Sequence, residues 1–281
     1  DPFSPKAVNT LRLLDAFDDF RLIDAPPLPE PGTLPIVLRL HEDEADALAP
    51  YAIRLTRDSI ERFTARYGFQ LKEPVVIEMY PDHEDFAVRT AGMPGLGILG
   101  ATFGYVIAMD SPSARPPEQF QWGTTLWHEV AHVFTLEATN HLVPRWYSEG
   151  ISVFEEWISG PNPGVRIPMS VYNAMKDDRF LPIAELDEGF IRPTYEEQVI
   201  VSYMQAGLTC HFINASYGEE KLRALLYKYR DGADTTEAIE SVLDMSVASF
   251  DRAFAAYVDE QPGDFLDVLQ AWHELSQQMM Q

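Results

Sequence analysis

The chain has little cysteine, little positive charge and no long apolar run, and each shortage excludes a class of protein. Cys210 is the one cysteine among 281 residues, so neither an intrachain disulfide nor a cysteine-based zinc site can form. Lysine and arginine total 21 against 44 acidic residues, and the net charge of -23 repels phosphate backbones. No apolar run is long enough to span a bilayer. We therefore expect neither a nucleic acid partner nor a membrane span in this chain.

Apolar residues make up 46% of the chain, which is enough for a sizeable core. Short β-rich runs precede residue 117, and helical spacing dominates after it. Strands are predicted at 35–40 and 75–80. The glycine-rich stretch 95–109 is interpreted as a bend leading into an exposed edge strand, with an ordinary hairpin as the alternative. The pattern predicts an α+β fold, with a small N-terminal mixed β-sheet layer followed by a mainly α-helical half.

These patterns divide the chain into four segments. Residues 1–34 form an N-terminal segment and proline-rich linker, 35–116 an α/β subdomain, 117–262 a helical subdomain and 263–281 a C-terminal helix. The predicted helices cover 44–67, 83–91, 117–138, 144–158, 169–177, 195–217, 218–230, 235–243, 246–259 and 264–279. The chain begins without methionine, which we interpret as a piece of a longer polypeptide or a mature form.

The predicted helix over 117–138 contains the pattern His128-Glu129-x-x-His132. Residues four apart lie on one face of an α-helix, so both imidazoles can reach the same ion. Zinc binds imidazole nitrogen, and its catalytic sites use three protein ligands plus water. Glu129 can lie beside that water and take its proton as a general base. Because the surrounding helix is apolar nearly all round, buried polar groups there need a partner, which favours zinc over solvated histidines.

Glu149 is the predicted third ligand. Residues 138–143 indicate a turn, and Pro144 suits the first position of a new helix. Glu149 lies about one and a half turns into that helix, and antiparallel packing of the two helices would return its carboxylate to the histidines. The sequence therefore predicts one Zn²⁺ ion held by His128, His132 and Glu149.

Three stretches together carry a family resemblance. They are His128 to His132, the run Pro-Arg-Trp-Tyr-Ser-Glu-Gly-Ile-Ser over 144–152, and Val-Ser-Tyr-Met-Gln-Ala-Gly over 201–207. The chain resembles the gluzincin zinc metallopeptidases, in particular the peptidase MA-like domains of bacterial proteins that often accompany tetratricopeptide repeats. With the preceding strands, the resemblance covers most of residues 35–260. It implies a thermolysin-like zincin core, a peptide or protein substrate, helical repeats outside this chain and an exported or periplasmic bacterial protein.

The resemblance also implies a catalytic role for Tyr203. Its segment is similar to the Ser-Tyr-x-x-Gly segment of gluzincin aminopeptidases, with one residue more before the glycine. There the tyrosine hydroxyl stabilises the tetrahedral oxyanion; a core tyrosine in a long helix is the alternative. Those aminopeptidases also carry Gly-x-Met-Glu-Asn on the edge strand, where the glutamate holds the substrate amino terminus. The nearest segment here, 100–104, has no glutamate, so we expect an endopeptidase.

Four further residues are candidates for orienting a ligand or binding substrate: Thr102, His141, Glu156 and His211. Three of them have an ordinary alternative: His141 suits a solvated loop, Glu156 and its neighbour Glu155 a solvated helix face, and His211 a hydrogen-bonded core position. The sequence as a whole predicts a zinc metallopeptidase. The alternative is a catalytically silent, zinc-stabilised peptide-binding module of a larger repeat protein.

Overall fold

A computed structural model describes residues 4–28, 34–95, 97–116 and 120–260 of the protein. The strands are β1 (Phe20–Ala25), β2 (Ile36–His41), β3 (Val75–Tyr80), β4 (Gly100–Phe103) and β5 (Val106–Asp110). The helices are α1 (Pro5–Ala16), α2 (Glu42–Tyr67), α3 (His83–Ala91), α4 (Trp122–Ala138), α5 (Arg145–Ser159), α6 (Met169–Lys176), α7 (Glu188–Ile191), α8 (Gln198–Tyr217), α9 (Glu219–Arg230), α10 (Thr235–Leu243) and α11 (Val247–Glu260). The fold is α+β, with a small N-terminal mixed sheet and a mostly helical remainder, as predicted. The predicted helix 264–279 lies outside the described residues.

The chain divides into two compact units. The first comprises Asp1–Glu137 with Ser159–Pro163, and the second comprises Ala138–Ile158 with Gly164–Gln281. The first holds the sheet, α1 to α3 and α4 up to Glu137, and the second holds α5 up to Ile158 and α6 to α11. The four-segment division made from the sequence stays a prediction. Across the part of the chain that the structure describes, we find no helix both long and apolar enough to cross a membrane.

The sheet of the first unit has the strand order β1-β2-β3-β5-β4. Its three central strands, β2, β3 and β5, run parallel, whereas β1 and β4 are antiparallel at the edges. The bounds predicted for β3 and α3 are confirmed, and α2 begins two residues before its predicted start. Strand β1 was not predicted, because half of its residues are exposed and no apolar alternation marks it.

Strands β4 and β5 form a hairpin through Gly104 and Tyr105. Gly104 has a φ of 59°, in the left-handed region that glycine adopts without steric cost. The bend predicted for the first half of 95–109 is wrong from Gly100 on, since Gly100 to Phe103 pair with β5, and the hairpin given as the alternative is confirmed. The edge position predicted for the following strand is also wrong, because β4 covers β5 and is itself at the edge. Cross-strand pairing here overrides the low strand propensity of the glycines.

Aromatic contacts pack α4 against α2 in the first unit. The ring of Phe63 lies edge-on to Trp127 at 5.5 Å and to Phe134 at 5.6 Å between centroids. Aromatic pairs of this geometry each contribute roughly 0.5–1.5 kcal/mol beyond the burial of their area. The helix that carries the His-Glu-x-x-His pattern is therefore fixed to the rest of its unit by its apolar face.

In the second unit, α5 and α8 cross at two glycines. A Cβ atom on Gly150 would lie 2.7 Å from the carbonyl oxygen of Ala206, and one on Gly207 would lie 2.5 Å from Cγ1 of Val153. Neither glycine can therefore carry a side chain without a shift of the helices. The missing side chains let the two backbones approach closely, which sets the distance at which the other side chains of α5 and α8 meet.

Candidate metal centre and catalytic residues

His128 and His132 lie one turn apart on the same face of α4. Their Nε2 atoms are 3.0 Å apart and their ring centroids 4.7 Å apart. The spacing of four residues produces this arrangement, because the helix brings every fourth side chain to the same face. Two imidazole nitrogens at this distance can either share one hydrogen bond or converge on one cation.

His128, His132 and Glu149 form a group that could hold a metal ion. Each offers one ligand atom, and these atoms lie within 4.8 Å of one another. The carboxylate is buried and the two rings are partly buried. Two imidazoles and a carboxylate are a donor set of catalytic zinc sites, in which a fourth position is left for water. The residues therefore fit a divalent ion, and they are the three that the sequence predicts as ligands.

Glu129 is buried and is held by the edge strand β4. The hydroxyl of Thr102 donates to Glu129 Oε2 at 2.7 Å and lies 3.1 Å from the Glu129 carbonyl oxygen. At Gly100 an added Cβ would lie 2.5 Å from Glu129 Oε1. Positions two apart on a strand face the same way, so both residues meet the carboxylate from one face of β4. The candidate Thr102 is thus in direct contact with the predicted general base.

Tyr203 of α8 contacts Glu149 of α5. The phenol donates to Glu149 Oε1 at 3.1 Å. Burial raises the pKa of Tyr203, the Glu149 carboxylate raises it further, and a hydrogen bond from Arg145 acts in the opposite direction. The phenol therefore keeps its proton at neutral pH and is a hydrogen-bond donor, which the oxyanion role implied by the resemblance requires.

Arg145, which was not among the residues predicted from the sequence, lies one turn before Glu149 on α5. Its Nε is 3.4 Å from Glu149 Oε1, and its guanidinium carbon is 5.3 Å from the ring centroid of Phe190. The ring of Phe190 also lies edge-on to Tyr203 at 5.1 Å. The spacing of four residues between Arg145 and Glu149 was a signal in the sequence. No signal indicated Phe190, because its position depends on the tertiary fold.

The start of α5 is capped from a distant part of the sequence. Asp187, in the turn before α7, accepts the backbone N–H of Trp146 at 2.6 Å. Trp146 also donates its indole N–H to the hydroxyl of Thr235 at 3.0 Å. The first N–H groups of a helix have no partner within it, so a carboxylate here satisfies one of them and suits the helix dipole. These two bonds fix the helical turn that precedes Glu149.

The remaining candidates have varied surroundings. His141 is exposed, with a φ of 62° in the turn after α4. Glu156 is partly buried, whereas its neighbour Glu155 is completely buried. His211 has its Nδ1 2.8 Å from the hydroxyl of Tyr257, and burial lowers its pKa. That contact favours the hydrogen-bonded core role for His211, and the roles of His141 and Glu156 stay predictions.

Comparison with known proteins gives one family match. A model of the peptidase MA superfamily matches residues 55–260, which is more than half of the chain. The matched range includes the His-Glu-x-x-His pattern, Glu149 and Tyr203. A search of curated proteins finds no match.

Proposed function

Because the chain belongs to the peptidase MA superfamily, we propose that it is a zinc-dependent metallopeptidase with His128, His132 and Glu149 as metal ligands. The main support is the grouping of one ligand atom from each of these residues within 4.8 Å. Structural zinc sites use four protein ligands, whereas this group offers three, as catalytic sites do. The buried Glu129 adds support, since a structural site has no use for a base beside its first ligand. A thermolysin-like arrangement of the core is part of the proposal.

The bound zinc would supply Lewis acidity, which lowers the pKa of water and polarises the scissile carbonyl. Glu129 takes the proton of the attacking water and passes it to the leaving amine. Thr102 and Gly100 keep the Glu129 carboxylate in one orientation, the first by a hydrogen bond and the second by leaving room. The hydroxyl of Tyr203 donates to the carbonyl oxygen as negative charge develops there.

We further propose that the cleavage is endoproteolytic. An aminopeptidase must bind the charged amino terminus of its substrate, and gluzincin aminopeptidases do this with a glutamate on the edge strand. In β4, Gly100 and Thr102 meet Glu129, and the other two residues are Ala101 and Phe103. The strand therefore offers no carboxylate for a free amine, which supports cleavage within a peptide chain.

The test uses metal-free protein reloaded with one equivalent of Zn²⁺ and a library of unstructured peptides, half of them blocked at both ends. We expect internal cleavage of the blocked peptides, detected by mass spectrometry and abolished by a chelator. Glu129→Gln is the matched control, because it keeps the shape of the side chain but removes the base. If zinc-loaded protein binds peptides but cleaves none of them, the hydrolase proposal is refuted and the catalytically silent peptide-binding module is supported instead.

A further inference from the structure

Arg145 lies beside the same oxygen of the proposed ligand Glu149 to which the proposed oxyanion donor Tyr203 donates. It has no role in the mechanism above. We propose that Arg145 is a positioning residue, which takes over Glu149 Oε1 when Tyr203 turns its hydroxyl toward the substrate. The inference rests on the proposed hydrolase function. It explains how the Tyr203 hydroxyl can leave Glu149 and donate to the substrate.

The phenol of Tyr203 has one proton and can donate it to only one of two acceptors at a time. In the structure this proton goes to Glu149 Oε1, at 3.1 Å. To stabilise a developing oxyanion, the same proton must point at the substrate carbonyl. Glu149 is only 6% exposed, so water replaces a lost hydrogen bond poorly. Turning the phenol is therefore unfavourable unless a second donor reaches Oε1.

Arg145 is placed to be that donor. Its Nε is already 3.4 Å from the same carboxylate oxygen, and a shift of about 0.5 Å brings it to the usual distance of a charged hydrogen bond. Arginine carries donors only, so in any pairing of Arg145 with Tyr203 the phenol oxygen is the acceptor. A phenol that accepts from Arg145 stays anchored while its own O–H rotates from Glu149 to the substrate.

Phe190 keeps the guanidinium within reach. The cation lies over this ring at 5.3 Å from the centroid, and the ring packs edge-on to Tyr203. Arg145 and Glu149 are also fixed relative to each other by their spacing of four residues on α5. The side chain of Arg145 is 47% exposed, and these contacts hold its charged end on the site.

A double-mutant cycle with Arg145→Met and Tyr203→Phe, on the zinc-loaded full chain, tests the exchange. Arg145→Met should lower kcat about 10- to 100-fold and change KM less than about threefold, because the lost bond is needed only in the transition state. With Tyr203→Phe already present, the same change should cost less than about threefold, since no hydroxyl is left to turn. Arg192→Met is the matched control: this arginine is 79% exposed, pairs with Glu188 one turn away at 3.6 Å, and should affect neither constant.

Zinc affinity, measured by competition with a chromophoric chelator, is a readout independent of turnover. Arg145→Met should bind zinc within about threefold of the wild type, because Tyr203 still donates to Glu149 Oε1 while no substrate is bound. If Arg145→Met is unstable at the assay temperature, all four proteins of the cycle are measured at a lower temperature at which Arg145→Met stays folded.

Three results would overturn the inference while the hydrolase stands. These are full kcat in Arg145→Met, equal losses from Arg145→Met with and without the Tyr203 hydroxyl, and a fall in zinc affinity as large as the fall in kcat. A wild-type protein that binds zinc but hydrolyses no peptide refutes the proposed function first, and the role of Arg145 with it. The two failures are therefore distinguished by the wild-type assay alone.

Discussion

The carbonyl oxygen of Ala206 lies against Gly150, so close that a Cβ atom added to Gly150 would be only 2.7 Å from it. Gly150 directly follows Glu149, and the equally crowded Gly207 lies one turn after Tyr203. The Glu-Gly motif and the glycine of the tyrosine motif thus have a common packing reason. They let α5 and α8 approach until the phenol reaches the carboxylate.

Gly150→Ala should separate these helices. We expect the free energy of unfolding to fall by about 1–3 kcal/mol in urea titrations, because the new methyl group meets backbone atoms that cannot move aside. The kcat for peptide cleavage should fall as well, since Tyr203 moves with α8. Gly123→Ala on α4 is the control: its added Cβ meets the tip of the Leu55 side chain at 3.2 Å, so stability should change by less than about 1 kcal/mol. Equal losses in the two variants would contradict the packing argument.

Gly100→Ala should displace the general base without removing it. The new Cβ would lie 2.5 Å from Glu129 Oε1, so the carboxylate must rotate away from its bond with Thr102. We expect kcat to fall by about 100-fold or more, with zinc content unchanged by elemental analysis. Gly97→Ala, which adds a methyl group with nothing within 4 Å, should leave kcat unaltered. Normal kcat in Gly100→Ala would contradict the proposal that Glu129, in the orientation seen here, is the general base.

Tyr203→Phe should lower kcat by about 10²–10³-fold and leave KM nearly constant, because removal of one oxyanion donor weakens only the transition state. Steady-state kinetics on a single cleaved peptide provides the measurement. Tyr257→Phe is the comparison, since it removes a phenol hydroxyl that contacts His211 instead. A parallel fall in both variants would point to a general loss of folding.

Zinc should stabilise the fold through the three proposed ligands. At a free concentration 100 times the Kd, binding adds about 2.7 kcal/mol to the free energy of unfolding, which thermal denaturation detects as a rise in Tm. His132→Ala removes one of the two imidazoles and should abolish most of the rise. Mg²⁺ prefers oxygen ligands and should produce little change in the wild type. A rise that survives in His132→Ala would place the ion elsewhere.

The pKa of His211 is lowered by burial, and this predicts a pH dependence of stability. The unfolded chain binds a proton near pH 6.5 while the folded chain resists it, so the free energy of unfolding falls as pH drops below about 6.5. His211→Gln removes this contribution. Urea unfolding of metal-free protein should therefore show a larger advantage of the wild type over His211→Gln at pH 7.5 than at pH 5.5. An advantage that is equal at both values would show that His211 does not titrate between them.

Elements with strong local signals were predictable from the sequence. Strand β3 is a compact apolar run, and α3 starts after Asp82, whose Oδ1 accepts the backbone N–H of Glu84 at 2.7 Å. Strand β1 could not be predicted, because its pairing with β2 and not its own composition makes it a strand. The predicted start of the helix of Tyr203, at residue 195, is three residues early: α8 begins at Gln198, whose side chain accepts hydrogen bonds from Thr194.

The candidate site divides in the same way. The spacing of His128 and His132 depends on one helix alone, so their common face could be predicted from the sequence. The bond from Thr102 to Glu129 and the ring of Phe190 over Arg145 join residues that are 27 and 45 positions apart. Such contacts exist only once the chain has folded, and a single sequence has no local periodicity that encodes them.

The stretch from 183 to 191 contributes Asp187 to the start of α5 and Phe190 to the side of Tyr203. A designer who transplants the Glu149–Tyr203 pair into another scaffold must therefore carry this stretch along with the two helices. Without it, α5 would fray one turn before its carboxylate and the phenol would lose the ring that confines it. A substitution that displaces this stretch would therefore weaken both supports at once.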